Sequence, residues 1–152
     1  VYDPNNQHSG ITGGWKGIAR NPTGNYTTAE RAPQITTDAN GFLNADNSGS
    51  YCGSVYTALK IDMTPYKTLV FEGEFLRTGS YGTGFIAGVW SAMTGNANGN
   101  TRLAYVQQED ADRNKVITRY EVDVTNVNEY GHIGISLGNA SAKISACYLI
   151  PK

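Results

Sequence analysis

The chain has 152 residues, enough for one domain with a core of its own, and residues 1–152 read as a single domain. Twelve Lys and Arg nearly cancel thirteen Asp and Glu, so there is no basic excess to neutralise phosphates, which argues against nucleic acid as partner. No apolar run is long enough to span a bilayer, which argues against membrane insertion, and no segment reads as a signal peptide.

Eighteen Gly and ten Tyr, with many Asn and Thr, supply tight turns and pleated strands, and no stretch repeats apolar residues at helical spacing over three turns. The first fifty residues are rich in turns, with short strands expected around Ile11, Trp15–Ala19 and Gln34–Thr36. From Val55 to Met63, alternate residues Val55, Thr57, Leu59, Ile61 and Met63 predict one half-buried strand that Pro65 ends. Next come strands over Lys67–Leu76, with Glu72 and Glu74 outward, and Phe85–Trp90, with Trp90 on the side away from the core. Leu103–Gln107 follows, then Lys115–Val124, with Val116, Tyr120 and Val122 on one face and Arg119 and Glu121 on the other. Tyr130–Leu137 exposes His132 and Ser136, and Ala142–Ile150 turns Ile144, Ala146, Tyr148 and Ile150 inward. Seven clear strands and one or two earlier ones, at regular spacing, predict an all-β fold, a two-sheet antiparallel β-sandwich of jelly-roll type.

Cys52 and Cys147 are too far apart in sequence for a local metal motif. Both fall on the non-core side of their strands, so the pair is either a disulfide, implying an oxidising compartment, or two free thiols. Catalytic chemistry finds little support. The only histidines, His8 and His132, have no nucleophile elbow near them, and no zinc-protease, P-loop or dinucleotide motif occurs. One enzymatic reading survives. Glu72 and Glu74 share a strand face at roughly 7 Å, within the separation that glycosidases use for paired carboxylates. No cofactor is required. A structural calcium ion is a candidate, because Asp38, Asn40 and Asp46 gather hard oxygen ligands in what reads as one loop.

A sugar offers an apolar face of C–H bonds and a rim of hydroxyls, so its site needs exposed aromatics beside planar polar groups. Trp90 is the expected platform, with Tyr130 and His132 on one outer strand face and Arg119 and Glu121 on another. Tyr81, in a glycine-rich loop, and Tyr26 are the loop candidates, while Trp15 reads as a core plug beneath its turn.

Three stretches carry a resemblance: Ile11-Thr12-Gly13-Gly14-Trp15, Ile61-Asp62-Met63-Thr64-Pro65-Tyr66-Lys67, and Val122-Asp123-Val124. In them the chain resembles jelly-roll modules of bacteriophage tail and receptor-binding proteins and carbohydrate-binding modules of gut bacteria. The resemblance implies a non-catalytic carbohydrate-binding module for poly- or oligosaccharide, extracellular or on a virion or cell surface. The alternative it implies is a structural or receptor-binding domain of a phage tail; the glycoside hydrolase through Glu72 and Glu74 stands third. A multidomain parent and a homotrimer are both open as assemblies.

Overall fold

The structure, a computed structural model, describes residues 15–20, 26–27, 34–37, 43–46, 53–78, 85–92, 101–108 and 112–152, the first three spans through their backbone alone. Among the described residues twelve strands follow one another: β1 (Trp15–Arg20), β2 (Tyr26–Thr27), β3 (Gln34–Thr37), β4 (Leu43–Asp46), β5 (Gly53–Thr57) and β6 (Ile61–Asp62). Then come β7 (Tyr66–Arg77), β8 (Phe85–Trp90), β9 (Arg102–Gln107), β10 (Val116–Asp123), β11 (Tyr130–Leu137) and β12 (Ala140–Pro151). All pairings are antiparallel. A seven-stranded sheet runs β2-β1-β5-β11-β8-β9, with β6 added beside β11, and a five-stranded sheet runs β10-β7-β12-β4-β3. Four nested pairs, β4 with β12, β5 with β11, β7 with β10 and β8 with β9, alternate between the two sheets. The two antiparallel sheets face each other across one core, so the expected β-sandwich forms.

The core lies between the sheets. Leu69, Phe71 and Phe75 of β7, Phe85, Ala87 and Val89 of β8, and Ile133, Ile135 and Leu137 of β11 fill it, each at alternate positions of its strand. Phe75 meets Phe85 and Tyr120 edge-on at 5.7 and 5.1 Å between ring centres, the arrangement that the ring quadrupoles favour.

Three expectations of face or extent need correction. The strand expected from Val55 to Met63 breaks after Thr57, whose hydroxyl donates to the Leu59 carbonyl across a bend, and Leu59 is exposed. In β10 an irregularity between Ile117 and Arg119 turns Ile117 toward the core and Val116 to solvent, the reverse of simple alternation. In β12 a bulge between Ile144 and Ala146 has the same effect, so Ile144 and Cys147 both face the core while Tyr148 faces out. Gly73 of β7 opposes this bulge with φ 155°, and a Cβ there would collide with the Lys143 carbonyl oxygen.

Of the two readings of the cysteine pair, the free thiol is the one seen at Cys147. Cys147 carries a free thiol buried in the core opposite Phe71, and Cys52 lies outside the described residues. Burial pushes the Cys147 thiol pKa up, because a thiolate there would be desolvated.

Candidate functional site

The outer face of the five-stranded sheet gathers side chains that the sequence assigned to three separate ideas. On β7, Val70, Glu72, Glu74 and Leu76 point away from the core because Leu69, Phe71 and Phe75 occupy the other side. On β10, Tyr120 and Val122 face inward, which turns Arg119 and Glu121 out. Leu43 and Ala45 of β4 are core residues, so Asn44 and Asp46 face out beside Lys143 and Ser141 of β12.

Register then sets the neighbours. Arg119 stands opposite Glu72, and Val70 lies between Glu121 and Tyr148. Lys143 lies between Glu74 and Asn44, while Ser141 lies between Leu76 and Asp46. Val116 stands opposite Leu76 at the β10 edge.

Arg119 is the hub. Its Nη2 donates to Glu121 Oε1 at 2.7 Å and its Nε to the same oxygen at 3.1 Å. Its Nη1 donates to Tyr148 Oη at 3.2 Å and forms a short ion pair with Glu72 Oε1, which also accepts from the Tyr148 hydroxyl at 3.0 Å. The hydrogen bond to Glu121, then that to Tyr148, raises the guanidinium pKa further above its already high value. The group is exposed, so the ion pairs add little to stability. What they do is orient. Four planar polar groups are held in place by one another.

Beside this network an open groove of about 520 Å³ crosses β4, β12, β7 and β10. Asn44, Asp46, Ser141 and Lys143 line one end of it. Glu74, Leu76 and Val116 line the other. Glycosidases keep one carboxyl of the pair protonated by enclosing it, whereas Glu74 is exposed and Glu72 is engaged by a guanidinium and a phenol.

Of the other expected ligand contacts, Trp90, Tyr130, His132 and Tyr26 belong to strands of the opposite sheet. Trp90 is 0% exposed, packed with Tyr56 and Ile86 in a second apolar cluster on the outer side of the seven-stranded sheet. It is therefore a buried residue where an exposed platform was expected. Tyr130 is 60% exposed, at the end of β11 beside β6. His132 is half-buried, its Nδ1 2.7 Å from the Thr57 carbonyl oxygen and its ring edge-on to Tyr56, so it ties β11 to β5. Ser136, expected to be exposed, is buried between Ser54 and Ile86 of neighbouring strands. Arg119 and Glu121 are thus separated from Tyr130 and His132 by the thickness of the sandwich. Tyr26 belongs to β2 of the seven-stranded sheet, and Tyr81 lies outside the described residues.

Asp46 closes a strand instead of sitting in a loop, and the other two calcium candidates, Asp38 and Asn40, lie outside the described residues. Among the described residues no three His, Cys, Asp or Glu side chains gather as a metal-holding group. Sequence reasoning missed Tyr148, Lys143, Ser141 and the apolar pair Leu76 and Val116 as site residues. The adjacent small apolar pair Ala146-Cys147 in mid-strand was the available sign that β12 changes face there.

Among solved structures, the fold is similar to that of CBM86, a low-affinity xylan-binding module from the xylanolytic gut symbiont Roseburia intestinalis. The similarity covers 79% of this chain and 84% of that chain, at 13% identity and a TM-score of 0.49. No protein-family model and no curated protein matches the chain.

Proposed function

We propose that the chain is a non-catalytic carbohydrate-binding module, secreted or displayed on a surface, whose ligand lies across the outer face of the five-stranded sheet. The observation that carries this reading is the mutually held set of Glu72, Arg119, Glu121 and Tyr148 beside an open groove. Vicinal sugar hydroxyls both donate and accept, and they are matched by carboxylates that accept next to a guanidinium and an ammonium that donate. The Tyr148 ring, partly exposed at the centre of the sheet, offers a sugar ring some apolar contact.

A glycan array run with and without calcium tests the reading, with hits titrated by calorimetry. Arg119→Ala and Lys143→Ala are each expected to weaken binding about tenfold or more, the loss of charge-assisted hydrogen bonds, at unchanged fold. Full affinity in both variants would remove the ligand from this face, and a folded protein that binds no glycan would refute the proposal.

A further inference from the structure

The groove is not uniform along its length. At its β4 and β12 end it presents Asn44, Asp46, Ser141 and Lys143, all able to bond hydroxyls. At the β7 and β10 end it presents Leu76 and, beside it, Val116, which is 55% exposed. The two are register partners, which puts their Cβ atoms about 5 Å apart, and the irregularity in β10 is what turns Val116 outward. From β4 to β10 the groove spans three strand spacings, about 14 Å, room for a short run of sugar units. An unsubstituted sugar chain would satisfy the polar end and leave the apolar pair wet.

Resting on the glycan reading above, we propose that this groove prefers a sugar bearing a methyl-terminated substituent, seated on Leu76 and Val116. The shared chemistry is a small uncharged apolar cap, supplied either by an acetyl group or by the methyl of a 6-deoxy sugar. A charged substituent such as a uronate carboxylate fits poorly. Asp46 and Glu74 outnumber Lys143 along the groove, and Glu72 and Glu121 flank Arg119 next to it.

The test is a matched pair: an acetylated polysaccharide and the same preparation after alkaline deacetylation, titrated beside an oligosaccharide of 6-deoxyhexose. Burying one methyl gives about fourfold tighter binding of the acetylated form. Val116→Thr keeps the branched shape and strand preference but replaces a methyl with a hydroxyl, and it is expected to bring the ratio between acetylated and deacetylated ligand to one. The 6-deoxy arm reports which source of methyl the seat accepts, and a gain in either supports the proposal. Equal binding of both members of the pair with no gain in the 6-deoxy arm, or a preference that survives in Val116→Thr, would overturn it while leaving glycan binding intact. If Arg119→Ala and Lys143→Ala also both bind every ligand as well as the parent does, the face itself is wrong and both ideas fall together.

Discussion

Tyr120 offers a clear test of how the core is built. Its ring packs edge-on against Phe75 and lies 6.2 Å from Phe85, but its hydroxyl oxygen is buried with no hydrogen-bond partner among the described residues. A buried hydroxyl left unpaired costs about 1–3 kcal/mol, whereas the ring contacts survive in Tyr120→Phe. The variant is therefore expected to be more stable than the parent by about 1 kcal/mol, a rise in melting temperature of roughly 2–4 °C for a chain of this size. The effect also has a pH signature. Burial, and then the nearby Asp112 charge, raises the Tyr120 pKa above its ordinary value of 10.0. Above pH 10 the unfolded chain ionises this phenol and the folded chain does not, so stability is fully present below pH 10 and is lost as pH rises from there. Tyr120→Phe removes that slope. Urea denaturation at pH 7 and again near pH 10.5 measures both effects. A loss of stability at pH 7 would mean that the hydroxyl is bonded, and the reasoning would fail.

Other outcomes follow from the packing. Gly73→Ala is expected to cost about 2–4 kcal/mol, strain plus displacement of the β12 backbone, with a matching drop in denaturation midpoint; a cost below about 0.5 kcal/mol would contradict the tight approach to Lys143. Trp90→Ala is expected to destabilise by about 3–5 kcal/mol, because the side chain is fully buried, and parent tryptophan emission that a polar quencher reaches freely at this position would argue otherwise. In a Cys52→Ser background the native protein is expected to resist thiol reagents up to about pH 9 and to react once unfolded. Prompt stoichiometric labelling of the folded protein would show Cys147 to be accessible.

The strands with strong alternation were legible from sequence, among them β7, β8 and β11, whose core faces the period-two pattern identifies. β4 was not. Its outward Asn44 and Asp46 sit among turn residues and made Leu43–Asp46 look like loop, although the inward Leu43 and Ala45 are core. Bulges hid more. A shift of one residue in β12 exchanges the faces of Cys147 and Tyr148, so a rule of strict alternation sends the site tyrosine into the core and the core cysteine to the surface. Trp90 was placed on the correct side of its strand, but which side a residue faces does not say whether that side is open, and here it is not. The polar residues of the candidate site were visible one at a time. Their assembly across β4, β12, β7 and β10 depends on long-range register, which short windows of sequence do not encode.

The nesting of the strands bears on when the site comes into being. β12 runs through the middle of the five-stranded sheet, between β7 and β4, yet it follows every other strand in the chain. During synthesis β4 can pair with β3 and β7 with β10, but the facing edges of β4 and β7 must wait for β12, and Glu72 has neither Tyr148 nor the Ser145 hydroxyl that bonds its carbonyl until β12 arrives. Such separation in sequence makes for slow folding, on the order of milliseconds to seconds. Until β12 docks, the set formed by Glu72, Arg119, Glu121 and Tyr148 is incomplete, so a chain truncated before β12 lacks the proposed site.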